Sequence, residues 1–338
     1  MNAVTHSART HTEHKTNTFK WLLKREYWEN RGGFVWAPLI TGAIVCFLTA
    51  VLTVIGVVRF KTSGAANDLQ FNGSLAEHAR QIGGIGDTAL MAGIILTTLV
   101  LAFVVFFYAL GSLYDDRRDR SVLFWKSLPA SDLQMVLSKA TWALVLAPIF
   151  SVVAGVLIGI VLWLIIGTAA AAAGMPNASA IFTHANPLSV VGNMLTAIPV
   201  YLLWAMPAVG WLMLCSAWAR SKPFLWAVLL PLLASVMVSM AGILPGININ
   251  YGAIWYTLVY RGLFSVVPGS WAPASTAFDQ NIQRAENANI QGPADLMNLM
   301  NVSNLDVLGS ADLWIGAAIG VAFIGAAIYL RRWRELAD

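Results

Sequence analysis

The sequence predicts an all-α polytopic membrane protein. It has six transmembrane helices, an amphipathic helix before the first, a short cytoplasmic helix between the second and third, and a re-entrant or interfacial helix on the outer side. Three observations carry this. Of 338 residues, 58% are hydrophobic and 11% charged, whereas a soluble domain carries roughly 25% charge; the mean hydropathy is +0.67. Six stretches without Asp, Glu, Lys, Arg or His are long enough to cross about 30 Å of hydrocarbon at roughly 20 residues each: 34–58, 88–114, 140–173, 194–219, 224–244 and 313–330. Lys and Arg are also spread unevenly over the segments that separate these stretches. So little charge cannot coat a water-exposed globule of this size, which excludes a soluble enzyme, a disordered chain and a nucleic-acid-binding protein. The 14 Trp residues fit the same class, because Trp collects where hydrocarbon meets headgroups.

The elements follow in order. Residues 1–17 read as a disordered cytoplasmic tail, with His6, His11 and His14 loosely spaced in it. Residues 18–33 form the amphipathic helix: Phe19, Leu22, Leu23, Tyr27 and Trp28 fall on one face at spacings of three to four, and Lys20, Lys24, Arg25 and Glu29 on the other. Trp21 adds a second interfacial aromatic. Such a basic helix lies in the headgroup plane and contacts lipid. The membrane domain fills 34–330, and its first apolar run is too long for the roughly 7–15-residue core of a cleavable leader. Residues 331–338 form a cytoplasmic tail.

With the N-terminus inside, six spans return the C-terminus inside. The inner segments then hold 16 Lys and Arg against five outside, while acidic residues divide nine to eight, as the positive-inside rule requires. The outer loop 245–311 begins with a charge-free aromatic run at 247–260, read as the re-entrant or interfacial helix. It ends in a polar stretch with short helices near 280–289 and 294–301.

The most informative segment joins the second and third spans at 114–139. Asp115, Asp116, Arg117, Arg118, Asp119 and Arg120 stand in six consecutive positions, and Phe124, Trp125 and Lys126 follow. Leu128-Pro129 ends that helix, and Ser131-Asp132 supplies a cap for the next. A short helix with charged and aromatic faces, bounded by a turn, is suited to docking in a partner's groove, aromatic anchors first.

This stretch, DRRDRSVLFWKSLPASD followed by LSK, resembles ABC transporter permeases of the type-2 exporter class. The wider layout is similar too: an amphipathic N-terminal helix, six spans and an outer re-entrant region before the last. The resemblance implies that 114–139 holds a coupling helix seated on a separate ATPase subunit. It also implies that ATP and Mg belong to that subunit rather than to this chain, and that the permease pairs with a second copy. The substrate, amphipathic, lipid-like, peptide or drug, would be moved outward across a bacterial cytoplasmic membrane. The outer loop is longer than the compact family pattern.

The motifs of other chemistries are missing. No GxxxxGK[ST] occurs, and none of the seven lysines follows a Gly, so no phosphate-cradling loop is encoded. HExxH and GxSxG are also absent. The spans lack the ionisable groups that carry coupling in ion-driven transporters. Cys46 and Cys215 lie inside apolar runs as small hydrophobes. Two other readings remain open. Asp115, Asp116 and Asp119 spell DDxxD, which resembles the magnesium-diphosphate site of membrane prenyltransferases. The chain could also be an assembly or sensor protein without transport activity.

Overall fold

A computed structural model describes residues 17–63, 75–119, 131–242, 250–274, 280, 283, 304 and 306–334. Arg120, Phe124, Trp125 and Lys126 of the expected coupling helix lie outside the described residues, as do the three tail histidines, residues 335–338 and most of the outer helices expected after position 279.

Among the described residues every regular element is a helix. α1 (Thr18–Arg31) passes through a π-helical turn, Gly32–Trp36, straight into α2 (Ala37–Thr62). α3 is Leu75–Arg118. α4 (Asp132–Thr141) continues through a second π turn, Trp142–Leu146, into α5 (Ala147–Ala173). After a single-turn helix, α6 (Ala180–Thr183), comes α7 (Pro187–Trp218). A third π turn, Leu225–Leu229, opens α8 (Leu230–Ala241). α9 (Tyr251–Ile254) runs into a π segment, Trp255–Arg261, and α10 is Ala311–Arg334.

Five helical runs are long and apolar enough to cross a membrane: Thr18–Thr62, His78–Arg118, Asp132–Ala173, Pro187–Trp218 and Ala311–Trp333. The stretch expected at 224–244 is a shorter apolar helix, Leu225–Ala241. At 1.5 Å per residue it reaches only about 26 Å, just under the hydrocarbon thickness. Large apolar side chains face outward along α2, such as Phe47 and Leu52, and along α8, such as Met237 and Met240. In water such patches would aggregate; in hydrocarbon they are solvated.

The three π turns share a cause. Each is followed by a proline two residues later: Pro38, Pro148 and Pro231. A proline inside a helix donates no N–H and its ring meets the carbonyl four residues back. Those carbonyls belong to Phe34, Leu144 and Ala227, all within the widened turns. At Pro231 the freed carbonyl is used again, because the Trp211 indole N–H donates to Ala227 O at 3.0 Å. Pro199 and Pro207 instead lie inside α7.

Close helix crossings use glycines. α3 packs on α5, and α7 on α10. A Cβ on Gly93 would overlap the Gly159 backbone nitrogen, and one on Gly155 would lie 2.8 Å from the Ile94 Cα. The Gly155–Gly159 spacing in α5 is therefore the seat of α3, as small residues at helix interfaces allow. Gly210 and Gly320 do the same for α7 and α10. Gly93→Leu is expected to cost at least about 1–3 kcal/mol through overpacking. Gly56→Leu should be nearly silent, since nothing lies within 4 Å of a Cβ there. Thermal unfolding in detergent separates the two.

α1 departs from the expected free-lying interfacial helix. Leu22 and Glu26 are buried, and the helix packs on α4. The Trp142 indole N–H donates to Leu23 O at 2.8 Å, and the Trp142 ring stacks on Tyr27 and Phe34. Phe19 is only partly covered, while Trp21, Lys24 and Trp28 stay exposed. Trp28 lies off the edge that packs on α4. Lys24 lies over Trp21 and Arg31 over Trp28, at 5.0 and 5.4 Å, an amphipathic surface of the kind that meets headgroups.

Candidate functional site

The consecutive charges 115–119 occupy the last turn of α3, and helical periodicity splits them. Positions 115, 118 and 119 share one face, whereas 116 turns about 100° away. Asp115, Arg118 and Asp119 are exposed, with Arg118 3.9 Å from Asp115 and 3.3 Å from Asp119. Such solvated pairs add little stability and remain available to a partner.

Asp116 instead points into the protein and is buried. Its Oδ1 lies 3.5 Å from Lys139 Nζ and 3.7 Å from Arg25, and its Oδ2 lies 3.4 Å from Arg331. Lys139 also reaches Glu26 at 3.1 Å, and Arg331 reaches Asp132 at 3.4 Å. Glu26 accepts from Tyr108 Oη at 2.8 Å and from Asn30 at 3.4 Å. Side-chain exposures are 2% for Glu26, 9% for Asp116, 5% for Lys139 and 2% for Arg331. Two acids and two bases thus form a neutral core that ties α1, α3, α4 and α10 together at one end of the bundle. Burying four charges is tolerable only because each is paired and hydrogen-bonded.

Arg117 has a third destination. Its guanidinium donates to Ser216 O at 2.5 Å and to Ala219 O at 3.0 Å, satisfying carbonyls at the end of α7. Ser216 Oγ in turn accepts from the backbone N–H groups of Leu113 and Tyr114. Arg117 and Arg118, adjacent in sequence, therefore serve different surfaces. α4 begins with the cap expected from its sequence: Ser131 accepts from Gln134 N–H at 3.2 Å, and the Gln134 side chain returns to Ser131 N–H.

The acidic pattern does not converge on a metal-sized site. Asp116 faces cations while Asp115 and Asp119 face outward, and no group of three His, Cys, Asp or Glu that could hold a metal ion occurs among the described residues.

Sequence alone misses the roles of Glu26, Lys139 and Arg331. Lys139 and Arg331 read there only as flanking charge. One signal points to Glu26: it stands four residues after Leu22, on the apolar stripe of α1.

At the opposite end, the expected re-entrant run is a hairpin at 251–274 docked on α7 and α10. Arg261 is buried, with its guanidinium 3.6 Å from the Trp204 ring centroid. It donates to Trp204 O at 3.2 Å and to Asp312 O at 3.1 Å, and lies 3.8 Å from the Asp312 carboxylate. Tyr256 donates its hydroxyl to the same carboxylate; burial first, then Asp312, pushes its phenol above the ordinary range. Trp204 Nε1 donates to Ser270 Oγ and Tyr260 Oη to Ser270 O, fixing the return of the chain.

Comparison of the chain with family models, curated proteins and solved structures finds no match.

Proposed function

We propose that this chain is the membrane-embedded permease subunit of an ATP-driven exporter of the ABC type-2 kind, worked by a separate ATPase and completed by a second permease copy. ATP and Mg would be held on the ATPase. The observation that carries the reading is the division of labour at the end of α3. The exposed Asp115–Arg118–Asp119 face offers a docking surface, and Asp116 on the same turn is wired to α1, α4 and α10. A load applied to the connection 120–130 therefore reaches four helices directly. Such a device shifts the permease only if the ATPase grips its two states differently.

The six-span layout is part of this proposal, and parity supports it. Glu26, Asp116, Lys139 and Arg331 meet at one end. The start of α1–α2 and the finish of α10 therefore share a side, which requires an even number of crossings. α2, α3, α5, α7 and α10 supply five. The chain leaves α7 at the charged end and enters α10 beside the hairpin, so the stretch between must cross once more. Leu225–Ala241 is the apolar helix that makes this crossing. Phe224 at its start packs on Phe106 and Phe107, and Ser239 near its finish accepts from Trp255. The basic bias supports placing the charged end inside, and the exporter reading makes the membrane a bacterial cytoplasmic one.

Two experiments test this. The chain is purified from its native membrane in gentle detergent, and the eluate is assayed for ATPase activity and its proteins identified by mass. A stoichiometric ATPase is expected, and it should be lost in an Arg118→Glu/Asp119→Lys variant that still inserts and elutes as a single species. A clean preparation without ATPase, or one whose ATPase ignores that variant, overturns the reading. In a background lacking Cys46 and Cys215, a cysteine at Ser63 should react with an impermeant maleimide from outside and one at Lys222 only from inside. The reverse pattern overturns the topology.

A further inference from the structure

A second candidate site lies in the hairpin half of the bundle and uses none of the charged residues above. It is a cavity of about 380 Å³ between α3, α5, α7 and the hairpin, within the range of small-molecule sites. It runs beside α7 from Val190 to Tyr201, about 16 Å at helical rise, or half a hydrocarbon layer. Leu101, Pro148 and Val152 line it from α3 and α5, and the hairpin contributes Pro268, Gly269 and Trp271.

Its chemistry is specific. No described lining residue is charged, so an ionised ligand group would find no counter-charge in an apolar surrounding. The hydrogens of Thr98, Tyr201 and Asn304 are already spent within the protein. Thr98 Oγ1 donates to Ile95 O at 2.9 Å, and Tyr201 Oη to Val266 O at 3.2 Å. Asn304 Nδ2 donates to Asn193 O and to Thr196 Oγ1, at 3.0 and 3.3 Å. Asn304 Oδ1 accepts from Trp271 Nε1 at 3.1 Å and keeps a second lone pair. What these groups still offer is oxygen lone pairs, on the Thr98 and Tyr201 hydroxyls and on the Asn304 carbonyl. A carboxylate or phosphate, itself an acceptor, gains nothing there. An ammonium would donate but bring an uncompensated charge. The group that fits is neutral and donates a hydrogen.

We propose that this cavity binds an uncharged, hydroxyl-bearing, single-chain lipid, with its chain against the apolar lining side chains and its hydroxyl on an oxygen of Thr98, Tyr201 or Asn304. The proposal does not rest on the exporter reading, because a bound lipid alcohol requires no transport. A resident bilayer lipid and a passing solute share this chemistry.

The test uses the full chain in nanodiscs of synthetic phosphatidylcholine and a dodecanol carrying a chain diazirine. Photolysis should place adducts on Met91, Met194 or Trp271. Unlabelled dodecanol should compete, while dodecanoate, dodecylammonium and the methyl ether of dodecanol should not. Ala197→Trp, which fills the space, should lower labelling at least about tenfold. Thr98→Val, which keeps the shape, should lower alcohol affinity by roughly threefold to tenfold, one net hydrogen bond, even if the tryptophan variant fails to fold. Adducts confined to the outward faces of α2 and α8, or equal competition by the charged analogues, overturn the proposal. Lipid extraction distinguishes the sources. A stoichiometric hydroxyl lipid that leaves as probe enters marks a resident, and full probe uptake with no such lipid in the extract marks a transient ligand.

Discussion

Lys139→Met is expected to be the most damaging single substitution at the charged end, costing about 3–5 kcal/mol. The side chain is 5% exposed and is shared by Glu26 at 3.1 Å and Asp116 at 3.5 Å. Met fills nearly the same volume, so the loss is not one of packing. It leaves two buried carboxylates facing one another with Arg331 as the main remaining base, and a buried unpaired charge costs far more than its pair contributed. The second arm of the experiment follows from the charge count. Glu26→Gln added to Lys139→Met returns the core to one acid and one base, Asp116 and Arg331, and the new amide oxygen can still accept from Tyr108. The double variant is expected to recover a large part of the loss, a coupling well beyond the few tenths of a kcal/mol seen between independent sites. Thermal unfolding in detergent and retention on size exclusion provide the readout. Additive effects of the two changes would mean that the four charges do not act as a unit, and the proposed transmission from 120–130 to α1 and α10 would lose its basis.

The apolar helices were legible because each depends on residues contiguous in sequence: a hydrophobic run, or a cap such as Ser131. The seat that Gly155 and Gly159 make for Gly93 was not legible, since nothing local says which helix will cross there. The charged core was hidden for the same reason in stronger form. Its members stand at 26, 116, 139 and 331, and a count of basic residues beside apolar runs treats two of them, Lys139 and Arg331, as topology signals. The consecutive run 115–120 invited the opposite error. Read as one patch it suggested a single docking surface, whereas 100° per residue sends Asp116 inward, Arg117 to the end of α7 and, among the described residues, 115, 118 and 119 outward. In the first helix the apolar stripe was legible, but not that its edge bearing Leu22 and Glu26 would be buried against α4. The helix at 225–241 is shorter than the apolar run because composition alone does not set where its ends fall.

Arg261→Ala is expected to free the hairpin from the bundle. The guanidinium lies against the Trp204 ring and donates to the carbonyls of Trp204 and Asp312. Its removal takes away two hydrogen bonds to carbonyls that keep their helical partners, at about 0.5–1.5 kcal/mol each, and forfeits a desolvated cation–π contact of about 2 kcal/mol. Hydrogen exchange should therefore rise selectively across 251–274 while the charged end keeps its protection. A second substitution tests the geometry independently. A Cβ on Gly316 would overlap Arg261 Nη2, and that nitrogen cannot retreat without leaving Asp312 or Trp204. Gly316→Ala alone should thus reproduce the exchange pattern of Arg261→Ala by expelling the guanidinium. In the Arg261→Ala background the same methyl meets empty space, so Gly316→Ala should add almost nothing. This non-additivity is the decisive observation, because a glycine serving only helix packing would cost the same in both backgrounds. If instead the two effects sum, Gly316 serves the α7–α10 contact and the buried arginine does not anchor the hairpin through it.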